Sequence, residues 1–473
     1  MNASQDDDTI AWLPDPAGVS GPIYLAVADA IGAAIASGAL LPGARLPTHR
    51  ALAQRLGVDL TTATRSYAEA QRRGLLDATV GRGTFVRGRA PAPAARAEDA
   101  SGPVDLSMNM PPQPAEPALR DLLQRGFSTL LARPDVHDIL TYRTGAGSAE
   151  ERAAGTAWLR PTLGEVHPGR LLVCPGAQHA LAVALATLAG RDAVVLTDPC
   201  TYLGLRNAAA QLGLVPHPVA GDSEGMDPDA LDQACAATGA QLLYLIPTIQ
   251  NPMATTMTPA RRAAIVGVAR RRGLHIVEDD AYGLLPSSPL PALASLAPER
   301  TFHVATVSKV LNPALCVAYL VAPDGDWAAR LAAALRAQVL MASPLLTGLM
   351  TLWMQDGTAL ALRDAVRREA ASRQRMASEI LPEGSFDAHP EGLHLWLSLP
   401  PRWDRLDFAA HLRRRDGLAV VPSDAFAIGS APPPGRVRVS LGAARGQESL
   451  RRALRTLAEV LREDEPASFS GVV

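Results

Sequence analysis

Short, unbroken apolar runs recur through most of this chain, each followed by a stretch with helical periodicity. Leu171-Leu172-Val173-Cys174-Pro175, Ala193-Val194-Val195-Leu196, Leu242-Leu243-Tyr244-Leu245-Ile246-Pro247, His275-Ile276-Val277 and Thr301-Phe302-His303-Val304-Ala305-Thr306-Val307 are the runs. Strands alternating with helices specify an α/β domain, and the pattern holds from Val104 to about Arg462. Ahead of it, residues 89–103 are rich in Ala and Pro and read as a semi-stiff linker. Residues 20–88 carry helical periodicity with compact turns, and residues 463–473 read as a frayed tail. No internal repeat is present. The expected architecture is multi-domain, with domains at 20–88 and 104–462.

Composition narrows the function classes. A chain of 473 residues, 48% hydrophobic and 19% charged, is expected to be soluble and globular with two or three sizeable cores. Cys174, Cys200, Cys235 and Cys316 are widely spaced with no CxxC pair, which fits a reducing cytoplasm and no metal site. The acidic start lacks a signal peptide's basic-then-apolar order, and no apolar stretch is long enough to span a bilayer. Net charge is only −2, yet residues 41–90 hold nine Arg against Asp59, Glu69 and Asp77. Such a block either meets an acidic partner or forms a solvated charged face.

The first domain is legible element by element. Ile23, Val27, Ile31 and Ile35 form a helical stripe that Gly38 can close with a left-handed cap. A turn through Pro42-Gly43 leads to Thr48, which can cap a second helix carrying Leu52, Ala53 and Leu56 and ending at Gly57. Asp59 caps a third helix whose inward stripe is Leu60, Ala63, Tyr67 and Ala70; its opposite face displays Thr61, Thr62, Arg65, Ser66 and Arg72. Two short helices joined by a tight Gly turn make a helix-turn-helix, with the third helix in a major groove. Residues 75–87 alternate around Gly81-Arg82-Gly83 and read as a hairpin wing.

Leu-Pro-Thr-His-Arg-x-Leu-Ala from Leu46, then Leu56-Gly57-Val58, then Gly81-Arg82-Gly83-Thr84-Phe85-Val86 resemble the winged helix of the GntR repressor family across this unit. The resemblance implies contact with double-stranded operator DNA through Arg50, Arg82 and the start of the third helix. Many members of that family carry Arg where this chain has Leu60, which shifts the expected base contact to Thr61, Thr62 or Arg65.

Lys309 is the only lysine in a chain whose Lys+Arg total is 45. Guanidinium keeps its charge, so Arg replaces Lys wherever charge alone is wanted but not where an amine must attack a carbonyl. Lys309 follows the run at 301–307, with hydroxyls at Thr306 and Ser308, a setting suited to a phosphorylated aldehyde. Gly176-Ala177-Gln178 opens a helix whose free amides can bind phosphate, although an ordinary strand-to-helix turn has the same spelling. Tyr202 can stack on a pyridine ring or simply pack. Gln250-Asn251-Pro252 offers an amide to a phenolic oxygen, and Glu278-Asp279-Asp280 offers a carboxylate to a ring nitrogen.

The order of these segments resembles the fold type I aminotransferases over nearly all of 104–462, and the whole chain resembles a MocR-type regulator, a GntR winged helix fused to an aminotransferase-like domain. The implied fold is a winged helix-turn-helix (α+β) followed by an α/β pyridoxal phosphate-dependent transferase domain. The implied cofactor is pyridoxal 5'-phosphate. Its aldehyde would bond Lys309, its ring nitrogen would meet Asp279, and its phenolic oxygen would meet Tyr282 and Asn251. Tyr202 would stack on the ring, while Gly176, Ala177, Gln178, Thr306 and Ser308 hold the phosphate. Tyr142 would reach the partner's phosphate in a homodimer. Arg438 would clamp an amino-acid carboxylate, the alternative being an exposed strand charge.

Two departures qualify the resemblance. The family's Pro-Gly-Leu-Arg is Pro313-Ala314-Leu315-Cys316 here, which removes a charged phosphate contact worth roughly 1.5–3 kcal/mol. Asn251-Pro252-Met253-Ala254 stands for Asn-Pro-Thr-Gly. Weakened cofactor binding and weak or absent transamination are expected. Three readings follow: a cytoplasmic regulator sensing an amino acid or amine, a working aminotransferase with a DNA-binding module, or a cofactor-free dimerisation scaffold.

Overall fold

The computed structural model describes residues 12–13, 21–37, 39–40, 43–79, 83–86, 103–142 and 145–463. The chain divides into two compact units, Met1–Ser101 and Gly102–Val473.

The first unit packs three helices, α1 (Ile23–Ala36), α2 (His49–Leu56) and α3 (Leu60–Arg72), with a hairpin of β1 (Leu76–Thr79) and β2 (Gly83–Val86). Thr48 accepts from the Ala51 amide to cap α2, and Gly57 ends it at φ +63°. Asp59 caps α3 by accepting from the Thr62 amide at 2.8 Å. The expected Gly38 cap and the Pro42 turn residue lie outside the described residues, as do Gly81 and Arg82 at the hairpin tip.

Two expectations for α3 need correction. Leu60 does not join the inward stripe; it is 48% exposed. Helical Cα–Cβ bonds tilt toward the N-terminus, so a first-turn side chain projects past the end of its helix and misses the neighbours that cover later turns. Ser66, expected outside, is fully buried with Ala63, Tyr67 and Ala70. Its spacing of three and four from Ala63 and Ala70 places it on that stripe, and its hydroxyl is satisfied by donating to the Thr62 carbonyl at 2.9 Å.

The second unit is built on a mixed seven-stranded sheet. Its members are β3 (Leu171–Cys174), β4 (Val194–Thr197), β5 (Val215–Pro218), β8 (Leu242–Leu245), β9 (His275–Asp279), β10 (Thr301–Thr306) and β11 (Ala318–Val321). A two-residue-per-strand hairpin, β6 (Gly221–Asp222) with β7 (Gly225–Met226), follows β5. Spatial order is β3-β11-β10-β9-β8-β4-β5, with β11 antiparallel to both neighbours and the remaining pairs parallel. Both faces are covered by helices, so β3, β8 and β10 are buried at every position, which is why each reads as a continuous apolar run.

A second, antiparallel sheet follows, in the order β12 (Phe386–Ala388), β13 (His394–Ser398), β15 (Arg436–Ser440), β14 (Val421–Pro422). It packs its own core with the helix Gln447–Val460 through Leu395, Leu397, Val437, Val439, Leu454 and Leu457. Arg438 sits mid-strand on β15, opposite Trp396 of β13 and Val421 of β14. No helix among the described residues is long and apolar enough to cross a membrane.

Candidate functional site

In open α/β sheets ligands collect beyond the carboxyl ends of the strands. Because β11 is antiparallel to both β3 and β10, the carboxyl ends of β3, β4, β8, β9 and β10 share one edge of the sheet. The loops leaving that edge enclose a cavity of about 370 Å³ lined by Gly176, Ala177, Gln178, Tyr202, Asn251, Asp279, Tyr282, Thr306, Ser308, Lys309 and Cys316 among others. Ten of the expected cofactor residues therefore meet in one place.

Lys309 lies three residues beyond β10, and its Nζ donates to the Asn109 carbonyl at 2.6 Å. Burial pushes its amine down to about 8, reinforced by the Arg438 charge and opposed by Asp279. Asp279 is the last residue of β9. Its Oδ2 accepts from the Tyr244 hydroxyl at 2.7 Å, while Oδ1 is buried with no hydrogen-bond partner. Burial raises this carboxyl above its ordinary range, against the Tyr244 hydrogen bond and the Lys309 charge. A lone buried carboxylate oxygen is costly unless a donor reaches it, and a protonated pyridine nitrogen is such a donor.

The opposite end of the cavity is made for an anion. Gly176 adopts φ +91° at the start of the helix Ala177–Leu188, and a Cβ there would stand 3.2 Å from Cys316 Sγ. The Gly176 amide turns back to the Cys174 carbonyl at 2.8 Å, which leaves the Ala177 and Gln178 amides as the first-turn donors. Thr306 donates its hydroxyl to the Val317 carbonyl at 3.1 Å and accepts from the Ser308 amide at 3.1 Å, which braces the turn carrying Lys309. Cys316 is exposed and holds a left-handed conformation at φ +46°.

Arg438 and Tyr142 stand apart from the lining. Arg438 is 7% exposed and lies behind Asn251, whose Oδ1 accepts from one guanidinium nitrogen at 2.8 Å. A second guanidinium nitrogen donates to the Ser107 carbonyl at 2.5 Å, and Nε has no partner. It is no exposed strand charge. Burial lowers this guanidinium to about 10. Tyr142 is 82% exposed and does not line the cavity.

In the first unit Arg50, Thr61 and Arg65 are exposed. Thr62 is committed to the cap, its hydroxyl donating to Asp59 Oδ2 at 2.8 Å. Arg65 lies over the Tyr24 ring, 4.3 Å from its centroid. Arg72 and Arg73 both pair with Glu69, and Arg73 also with Asp29, so part of the basic block is neutralised locally. Arg82 lies outside the described residues.

Comparison with known proteins matches residues 102–457 to aminotransferase class I and II, and residues 23–86 to the bacterial regulatory proteins of the gntR family. The HTH-type transcriptional regulator YdeF of Bacillus subtilis is 29% identical over 455 residues, 96% of this chain and 97% of that protein. The vitamin B6 salvage pathway transcriptional repressor PtsJ of Salmonella typhimurium is 30% identical over 420 residues, 87% of this chain and 93% of that one. The chain belongs to the MocR-type transcription regulators. An archaeal alanine:glyoxylate aminotransferase superposes on 76% of this regulator and 91% of its own chain with a TM-score of 0.68 at 24% identity, which shows the fold.

Several residues of the regulator's site carry no local signal in the sequence. Tyr244 lies inside an apolar strand, and only the sheet register sets it beside Asp279. Asn109 lies 173 positions from the cavity residue Tyr282, to which its amide donates, and 285 positions from His394, with which it also hydrogen-bonds. His179, on the first turn after Gly176, also lines the cavity. Because the regulator has one lysine, ¹³Cε-lysine labelling of the apoprotein gives a single side-chain signal. Its pH titration is expected near 8, and Asp279→Asn should move it lower by removing the anion that favours the charged amine. A midpoint at the ordinary lysine value would contradict the buried placement.

Proposed function

We propose that this protein is a cytoplasmic, homodimeric regulator in which residues 20–88 bind operator DNA, 89–103 link, and 104–462 bind pyridoxal 5'-phosphate and sense an amino acid or amine. One observation carries the reading: the chain's only side-chain amine, half-buried, lines the same cavity as a buried carboxylate with an unpartnered oxygen.

When bound, the cofactor supplies an aldehyde that bonds an amine and a ring that withdraws electrons. Lys309 is the nucleophile; with its amine near 8, about one molecule in ten is neutral at pH 7. Asp279 Oδ1 would accept a hydrogen bond from the protonated ring nitrogen, with Tyr244 holding its other oxygen. Tyr282 and Asn251 serve the phenolic oxygen, and Tyr202 covers a ring face. The Ala177 and Gln178 amides and the Ser308 hydroxyl would hold the phosphate, while Gly176, its amide given to Cys174, and Thr306, its hydroxyl given to Val317, shape the turns that surround it. Tyr142, exposed on the surface, would serve the partner's site. Arg438 receives a ligand carboxylate on N–H groups that Ser107 and Asn251 leave free, for they take only two of its five.

Sensing requires that the ligand favour one arrangement of the dimer over another. Arg50, Arg65, Thr61 and Arg82 would supply phosphate and base contacts on the DNA side, with Thr62 stiffening the start of α3. A second reading, a working aminotransferase, is favoured by Arg438 lying near Lys309, close enough to lower its amine. Cys316 counts against it. Steady-state assays with a panel of amino and keto acids separate the two, and turnover at the level of ordinary aminotransferases would support the enzyme.

DNA selected by the full chain from a random pool should bind with an affinity that changes on adding pyridoxal phosphate, an amino acid or an amine. Insensitivity to all of them would sink the sensor. Cys316→Arg restores a full charge beside Gly176 and should tighten pyridoxal phosphate binding by about tenfold or more. Unchanged affinity would show that the phosphate lies elsewhere.

A further inference from the structure

Residues 104–113 form a strap pinned along its length. The Leu106 amide donates to the Ala419 carbonyl at 2.9 Å, the Ser440 amide donates to the Leu106 carbonyl at 2.9 Å, and Asn312 Nδ2 donates to Gln113 Oε1 at 2.8 Å. Between these anchors the Ser107 carbonyl takes Arg438 and the Asn109 carbonyl takes Lys309. The buried Arg438 and the half-buried Lys309 thus rest on one short stretch of backbone.

We propose that Asn109 is a positioning residue for the cavity: its carbonyl holds Lys309, and its side-chain amide fixes the direction in which Tyr282 donates. The inference rests on the cofactor reading above and adds a residue to it. His394 Nε2 lies 3.2 Å from the Gln250 carbonyl, which can only accept, so Nε2 carries the proton. Burial holds this ring neutral, pushed down to about 3, and Nδ1 is left as an acceptor. The Asn109 atom facing Nδ1 at 3.2 Å must therefore be the donor Nδ2. That same nitrogen stands 2.9 Å from the Tyr282 hydroxyl oxygen. An amide NH₂ has no lone pair to offer in return, so the Tyr282 proton is given elsewhere, and Tyr282 borders the cavity. An anionic oxygen bound there receives it.

The groups facing Tyr282 are Arg438, Asp279, Tyr202, Tyr244, Asn109 and His394, with Lys309 lining the same cavity. Without the Asn109 amide, His394 Nδ1 becomes a bare buried acceptor beside Tyr282 and competes for its proton. An aspartate at 109 takes that proton outright.

A hydrogen bond donated to the cofactor's phenolic oxygen stabilises the more anionic form of the chromophore and lowers the pH at which its visible band titrates. In full-length protein loaded with pyridoxal phosphate, Asn109→Ala and Asn109→Asp should each raise that midpoint by about one pH unit. Tyr282→Phe should do the same, and neither Asn109 change should add to it, because both act through one hydroxyl. The alanine variant carries no charge, so a shift there is not electrostatic, and matched melting curves show that each variant folds. An unmoved midpoint, or a shift undiminished on the Tyr282→Phe background, overturns the proposal. Absence of a visible band in the native protein would instead overturn the cofactor reading.

Discussion

A carboxylate left half-satisfied beneath an amine is the constraint around which the second unit is organised. Asp279 ends a strand buried at its last four positions, and one of its oxygens has no donor. Lys309 faces the same cavity with its proton weakly held. Burying either group costs free energy unless a partner of the right chemistry arrives, so the cavity favours a ligand that offers a cationic N–H at one end and a carbonyl for the amine. The parallel register of β9 and β10, which pairs Asp279 with Val304, sets the spacing between them. Helix amides at Ala177 and Gln178 complete the cavity with a positive end.

Much of this was legible in the sequence because the informative residues follow strands buried on both faces. Continuous apolar runs located β3, β4, β8, β9 and β10, and the residues just past each run are those that line the cavity. The lone lysine marked itself by composition. Caps at Thr48 and Asp59 were readable because their effect spans only three residues. Leu60 and Ser66 were misassigned because periodicity gives a face but not the end of a neighbour's coverage, nor a polar side chain that satisfies itself on its own helix. Asn109, Tyr244 and His394 were invisible because their partners lie 35 to 285 residues away and are chosen by sheet register and packing.

The site joins features that favour catalysis to others that restrain it. Arg438 is oriented by Asn251 and Ser107, which accept from two of its guanidinium nitrogens. Cys316 sits in a left-handed conformation beside Gly176 with no charge to give a phosphate. A ligand that binds Arg438 shares its guanidinium with Ser107, which lies just after the linker in sequence. Such a link suits a protein whose output is a change in DNA affinity more than one whose output is turnover.

In the proposed site Lys309 bonds the cofactor's aldehyde with Asp279 supporting the ring. Full-length apoprotein titrated with pyridoxal phosphate, reduced with borohydride and mapped by peptide mass spectrometry tests it directly. The account predicts a visible band that borohydride bleaches, with the pyridoxyl group on the Lys309 peptide and none in Lys309→Ala. Label confined to the N-terminal amine, or a band that survives in Lys309→Ala, would contradict it.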